Sequence, residues 1–413
     1  MKILHIASSI FGGAGIGMMR YHRSLISMGI NSRVIARDIS DDSNIQRILK
    51  KTKPIFRRFG DRFGLHLSEE LKMRQKIKEL DRQLKNEPQY ELFSLPFSDY
   101  CPENHPWIQE ADIVNIHWVA GVLDWQRFFK SINKPIVFTL HDQQHYLGGF
   151  HYSLDLDNNP HLAAIENQVK QIKKLSLSDL KIAVIANSKW NERAAKESDF
   201  FPVDTPFKTI YYPLDTSIFS PRPKVAAKQT FGIAPNRKVI GFACENLNNS
   251  RKGFSDLVEA IALLPDTVRE NITLLSFGRE PSVELRNKVS MHWVHLGFLN
   301  SEVTQAAAYS AMDIFVIPSR AEAFGQTALE AIACGTVVIG ANVGGIPEAI
   351  NVCSSTESSL LYTTVNIREL ANLLEIATNS NQLVSEANLK HIYANHSLRN
   401  CAKQHLKLYD SIV

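Results

Sequence analysis

Short, unbroken apolar runs alternate with helix-period segments almost to the end of the chain. The runs Lys2–Ala7, Arg33–Ala36, Asp112–His117, Pro135–Leu140 and Ile182–Asn187 read as strands. A second series follows at Val239–Cys244, Thr273–Phe277, Asp313–Ile317 and Val337–Gly340. A strand with one wet face would alternate apolar with polar residues. These runs are apolar throughout, so both faces are covered, and the helices between them supply the crossovers of parallel sheets. The pattern predicts an α/β chain of two doubly wound, Rossmann-like domains. The clearest break between them is the Pro-punctuated segment from Pro202 to Pro223.

Composition agrees with a large enzyme. The 413 residues are 44% hydrophobic and 21% charged, enough apolar material for two cores. Five cysteines (Cys101, Cys244, Cys334, Cys353 and Cys401) are scattered without a C-x-x-C pair, which points to reduced thiols and a cytoplasmic setting rather than to a disulfide framework or a zinc site. No apolar stretch approaches the ~20 residues of a spanning helix.

The most informative segment is Ser319 to Gly335, SRAEAFGQTALEAIACG. It follows the Asp313–Pro318 strand and runs into strong helix formers from Thr327 to Ala333, with Gly335 placed to end the helix. A strand–turn–helix puts a helix N-terminus, with its positive dipole end, at the carboxyl edge of a sheet, a site suited to phosphate. Glu322 in the turn and Glu330 in the helix can accept hydrogen bonds from hydroxyls on either side. The plainer alternative is that Thr327 and Glu330 form a capping box and Glu322 is a solvated loop carboxylate.

The whole string resembles the Glu-x7-Glu signature of retaining GT-B glycosyltransferases of family 4, and Pro318 to Ile339 matches nearly every fixed position of it. Tyr211 to Pro221 resembles that family's inter-domain connection, with Tyr212 and Leu214 where Asn and Gly are usual. The resemblance implies a GT-B fold, two Rossmann-like domains facing across a cleft: an N-terminal acceptor-side domain over 1–206, a nucleotide-sugar domain over 207–395, and a helix over 396–413 returning to the first domain. It implies transfer of a sugar, with retention, from a UDP- or GDP-linked donor to a saccharide or lipid-linked acceptor, with neither metal nor cofactor. Glu322 would hold sugar hydroxyls and Glu330 the ribose, with Phe324 and Gly325 beside the donor.

Two further signals lie in the first domain. Gly12-Gly-Ala-Gly-Ile-Gly17 follows the first strand and precedes a helix predicted from Met18 to Met28. Such a loop fits a dinucleotide equally well, but no acidic residue beyond the loosely placed Asp38 suits the ribose. In the resembling family the loop, here Gly12 and Gly13, lies against the donor diphosphate and the acceptor. Thr139 to Tyr152, TLHDQQHYLGGFHY, resembles a motif of the bacterial exopolysaccharide (colanic-acid-type) subgroup, with Leu147 and Phe150 where Thr and Cys are usual. That likeness gives His141 a hydrogen bond to the sugar and sets Asp142 and His151 on the acceptor side. His145 and His151 serve a local backbone carbonyl equally well. His141 and His145 have the spacing of H-E-x-x-H, but that motif needs a helix, and the following Gly148-Gly149 argues for a loop.

In the second domain, Ser250-Arg-Lys-Gly-Phe254 opens a helix predicted over Asp256–Leu263. Arg251 and Lys252 there suit a diphosphate, as fork and point charge, and the resemblance has them stabilise it as it leaves; a solvated basic turn is the commoner meaning of such a pair alone. Two flanking carboxylates also fit a glycoside hydrolase, though a hydrolase has no need of the paired cations. An epimerase or phosphorylase relative, or a nucleotide-sugar-binding protein without activity, would keep the same architecture.

Charge is uneven along the chain. From Arg47 to Lys85 there are 13 Lys and Arg against 5 Asp and Glu, while the whole chain is +4. Ile48, Leu49, Ile55, Phe56, Phe59, Phe63 and Leu67 are interleaved with Lys50, Lys51, Lys53, Arg57, Arg58 and Arg62. Such interleaving suits a segment at an anionic lipid surface, and a basic helix face packed on the domain explains it at least as well; the resemblance to exopolysaccharide enzymes is what favours the membrane, at its inner leaflet. No nucleic-acid module accompanies the charge.

Overall fold

The computed structural model describes residues 1–50, 90–178, 180–351, 360–380 and 383–413, with positions 75, 78, 79 and 82 between the first two stretches. The chain forms two units. The first comprises Met1–Asn187, Glu192–Ile210 and Gln404–Val413; the second comprises Ser188–Asn191 and Tyr211–Lys403.

Among the described residues of the first unit, seven strands lie in the order β3-β2-β1-β4-β5-β6-β7. They are β1 (Lys2–Ile6), β2 (Asn31–Ala36), β3 (Ile45–Arg47), β4 (Ile113–Ile116), β5 (Ile136–Leu140), β6 (Ile182–Ala186) and β7 (Phe207–Thr209). Every neighbouring pair is parallel. β4, β5 and β6 are buried along their whole length, as continuous apolar runs require. Leu4, Ile116, Phe138 and Val184 pack with Trp125, Phe128 and Phe200 on one side of the sheet. Val34 and Ala36 pack with Met18 and Met19 on the other. β7 pairs with β6, so the first unit runs through Ile210, beyond the residue-206 boundary expected from sequence.

The described residues of the second unit hold six strands in the order β10-β9-β8-β11-β12-β13: β8 (Lys238–Asn246), β9 (Ile272–Arg279), β10 (His292–His295), β11 (Ile314–Ile317), β12 (Val337–Ala341) and β13 (Leu361–Tyr362). These pairings too are all parallel. In both sheets the order reverses beside the first strand, which marks switch points at the carboxyl ends of β1 and β4 and of β8 and β11. All nine strands expected from the apolar runs are present. The four that the runs did not reveal, β3, β7, β10 and β13, are short; β3, β10 and β13 sit at sheet edges, as does β7, where one flank lacks a partner and apolar content falls.

Two sequence expectations need correction. The glycine run 12–17 is not a loop before a helix, because the helix spans Gly12–Ser27 and includes all of it. Gly15 lies so close to the preceding turn that a Cβ would collide with the backbone of Ser9 and Ile10, so glycine is needed there for helix–strand packing. Ile48, counted among residues that dip into lipid, is buried in the first unit's core. The rest of that basic stretch, from Lys51 to Lys85, falls almost wholly outside the described residues. Among the described residues no helix is long and apolar enough to cross a membrane, and Cys101, Cys244, Cys334 and Cys401 form no disulfide.

Candidate functional site

In the second unit, three loops meet beyond the carboxyl ends of the adjacent strands β8, β11 and β12. The chain leaves β11 at Pro318, turns through Ser319–Phe324, and enters the Gln326–Ala333 helix at Gly325, whose φ is 104°. From the β8 side, Lys252 Nζ donates to Glu322 Oε2 at 2.6 Å. Arg251 Nη1 donates to the Ala321 carbonyl at 2.8 Å and stands 3.9 Å from the same Glu322 oxygen. Glu322 and Lys252 side chains are only 13% and 25% exposed, so the pair is drier than an ordinary surface ion pair. Arg320 donates to Asp256 through Nε and Nη2, tying the turn to the Phe254–Ala262 helix.

Missing side chains allow this convergence. Gly253, at φ 71°, leaves room for the Pro318 carbonyl, and Gly344, at φ 59°, for the Glu322 carbonyl; a Cβ at either would collide with that oxygen. Gly345 N–H donates to the Glu322 carbonyl at 3.0 Å. Thus Arg251, Lys252 and Glu322 come together, braced by the loop after β12, which ends in Gly344-Gly345.

Glu330 lies inside the helix and is buried. The N-cap is Gly325, so Thr327 and Glu330 do not form a capping box; Glu330 Oε2 accepts from the Tyr309 hydroxyl at 2.9 Å. The Phe324 ring is buried among Tyr211, Tyr212 and His396, which leaves its backbone as the part able to face a ligand.

In the first unit, His141 follows β5 directly, in a turn rather than a helix. Its Nε2 lies 2.9 Å from His117 Nδ1, and His117 Nε2 lies 2.8 Å from His5 Nδ1. Burial pulls His141 down to about 4 and holds His117 and His5 well below the ordinary histidine range. All three rings are therefore neutral at pH 7. Asp142 and His151 are joined to each other: His151 Nδ1 and Asp142 Oδ2 are 3.1 Å apart, and Trp118 Nε1 donates to both. Burial raises Asp142, but His151, the Gln144 N–H and His145 together outweigh it and leave the carboxyl below its usual range. Gly12 and Gly13 form the first turn of the helix after β1.

Sequence reasoning missed the two residues that hold the 141–152 turn. Glu166 accepts from the N–H groups of Gly148, Gly149 and Phe150, at 2.5, 2.7 and 3.1 Å. Lys173 Nζ donates to the carbonyls of Gln144, Leu147 and Gly148, and burial pulls it down to about 7. Both project from the Ala163–Leu175 helix and are buried. Their spacing of seven puts them on one helix face, and two opposite charges on an otherwise apolar face were the available signal. Glu166→Gln turns an N–H₂ towards backbone N–H donors. We expect it to cost about 2–3 kcal/mol, read as a lower urea midpoint; an unchanged midpoint would show that the turn does not depend on this carboxylate.

Comparison with known proteins follows the same lines. Residues 237–378 match the family described as "Glycosyl transferases group 1". A D-inositol 3-phosphate glycosyltransferase of Jonesia denitrificans is 29% identical over 292 residues, which are 66% of this chain and 64% of that protein. A lipopolysaccharide core biosynthesis mannosyltransferase (LpsB) of Rhizobium meliloti is 28% identical over 178 residues, 41% of this chain and 50% of that one. Each alignment spans less than two thirds of the relative's length. Anabaena Alr3699/HepE, solved in complex with UDP and glucose, superposes with a TM-score of 0.70 at 16% identity, covering 100% of both chains. Residues 237–378 are thus similar to the glycosyl transferases group 1 family, and the chain that carries them has the GT-B fold.

Proposed function

We propose that the chain is a retaining glycosyltransferase taking a sugar from a UDP- or GDP-linked donor to a saccharide or lipid-linked saccharide acceptor, in the manner of the exopolysaccharide subgroup of family 4. The observation that carries this reading is the meeting of Lys252, Arg251 and Glu322 at a switch point of the second sheet. Cations there can take the charge that builds on a leaving diphosphate, and a carboxylate beside them can hold sugar hydroxyls. The bond from the sugar's anomeric carbon to phosphate oxygen breaks, and a bond to the acceptor hydroxyl oxygen forms on the same face. The hydroxyl proton passes to the departing phosphate oxygen, so no side chain acts as nucleophile. Glu330 takes the ribose and His141 a sugar hydroxyl. Gly12, Gly13 and Gly325 bring backbone close to the ligands, with Asp142 and His151 on the acceptor side. The relatives named for inositol phosphate and lipopolysaccharide transfer support the class of reaction.

A panel of UDP- and GDP-sugars tests this. At least one should raise the thermal midpoint and be hydrolysed slowly in the absence of acceptor, releasing a sugar with its anomeric configuration kept. Failure of every donor to stabilise the protein would sink the proposal, and an inverted product would sink its retaining part.

A further inference from the structure

Beyond the contact assigned to His141, the first unit holds a file of buried polar groups that no motif announced. It runs from His141 Nε2 to His117 Nδ1 (2.9 Å), from His117 Nε2 to His5 Nδ1 (2.8 Å), from His5 Nε2 to Ser32 Oγ (3.1 Å) and from Ser32 Oγ to His22 Nδ1 (2.8 Å). Its members come from the ends of β5 and β4, from β1, from β2 and from the Gly12–Ser27 helix. His5, His22, Ser32 and His117 are at most 2% exposed, and His141 is 7% exposed.

A neutral imidazole carries one proton on one of its two nitrogens. Each link in the file needs one donor and one acceptor, so the protons of the ring-to-ring links must point the same way; Ser32 Oγ either passes that direction on or accepts from both sides. The ring-to-ring links run in one of two directions. In one, every ring holds its proton on Nε2, and Ser32 donates to His22 Nδ1, so the His22 proton is left on Nε2; a variant in which His22 Nδ1 also donates to Ser32 instead leaves the buried Ser32 O–H with no acceptor among the described residues. In the other, His22 Nδ1 donates to Ser32, Ser32 to His5 Nε2, His5 Nδ1 to His117, and His117 Nδ1 to His141 Nε2. His22 Nε2 is buried and has no hydrogen-bond partner among the described residues. A buried N–H without an acceptor is the rarer and costlier orphan, which selects the second arrangement.

We infer that His117, His5, Ser32 and His22 are positioning residues that fix His141 as an Nδ1–H tautomer, with Nε2 turned inward as an acceptor, so that His141 can only donate through Nδ1 to its ligand. A sugar hydroxyl or ring oxygen receives that proton as acceptor. Ionisation is not involved, since burial keeps the rings uncharged.

The inference rests on the reading of His141 as a sugar contact, and two measurements separate them. Nitrogen-15 spectra of the histidine side chains in the full-length protein at pH 7.5 should show His5, His117 and His141 all protonated at Nδ1. An Nε2–H tautomer at any of the three overturns the inference, whatever the activity. With a donor that the protein hydrolyses, His117→Asn should lower kcat by roughly 10-fold, the scale of losing one aligned hydrogen bond, with KM little changed. His117→Gln, whose amide reaches farther, should recover part of the loss. If His141→Ala abolishes turnover while both His117 variants keep wild-type kcat, the positioning role is overturned. If His141→Ala is itself silent, the sugar contact fails and the tautomer spectrum alone decides the rest.

Discussion

Glu322→Ala is expected to lower turnover by at least ~10²-fold, the scale of losing one well-placed electrostatic contact. The structure sharpens the reason. Glu322 Oε2 accepts from Lys252 at 2.6 Å, so truncation also frees the Lys252 ammonium and removes the group that aims it. Lys252→Ala should therefore impair every nucleotide-sugar the protein accepts, because the diphosphate is common to all. It also leaves Glu322 without its close cation in a largely covered turn, so part of the loss should appear as a lower melting temperature. Steady-state kinetics of both variants, beside a melting curve for each, provides the check. Full turnover in Glu322→Ala would reduce the turn to scaffolding, and loss with one sugar alone in Lys252→Ala would contradict the phosphate assignment.

The second large effect expected is loss of stability in mild acid. Burial pulls His141 and His22 down to about 4 and His145 to about 3. Below the ordinary histidine pKa of ~6.5 the unfolded chain takes up protons that the folded chain refuses, so stability rises with pH in this window. The contribution is fully present above pH 6.5 and is lost as pH falls from there towards about 4. One histidine shifted from 6.5 to about 4 accounts for about 2 kcal/mol of loss at pH 5. Several acting together should lower the calorimetric midpoint sharply between pH 7 and 5. His145 sits against the rings of Phe138 and Trp125 and outside the histidine file. His145→Leu should flatten the acid dependence while leaving the file in place. A midpoint indifferent to pH over this range would mean that these rings are not held neutral by the fold.

Much of the architecture is legible in the chain alone, and for a local reason. Burial on both faces of a sheet demands a continuous apolar run, so β1, β4, β5, β6, β8, β9 and β11 are each visible without their neighbours. The strand–turn–helix around Glu322 and Glu330 is local as well, since Pro318 and Gly325 punctuate it within a few residues. Edge strands such as β3 and β7 are hidden because half-covered, short segments carry no such run. The start of the first helix is hidden too. Glycine run 12–17 has the propensity of a loop, and only the approach of Ser9 and Ile10, which no side chain could survive at Gly15, shows why a helix tolerates it.

Sequence by itself determined the nine interior strands, that two sheets are parallel, and that two carboxylates flank one helix start. Tertiary structure alone decided who meets them. Lys252 reaches Glu322 across 70 residues because β8 and β11 are neighbours in the sheet order. His5, His117 and His141 align because β1, β4 and β5 are adjacent, and Glu166 and Lys173 brace the 141–152 turn because their helix packs against it. Hydrophobic periodicity records how deeply each segment is buried, and it records that one segment at a time. Side-chain partnerships across a sheet depend on strand order and register, which are settled only when the whole core packs.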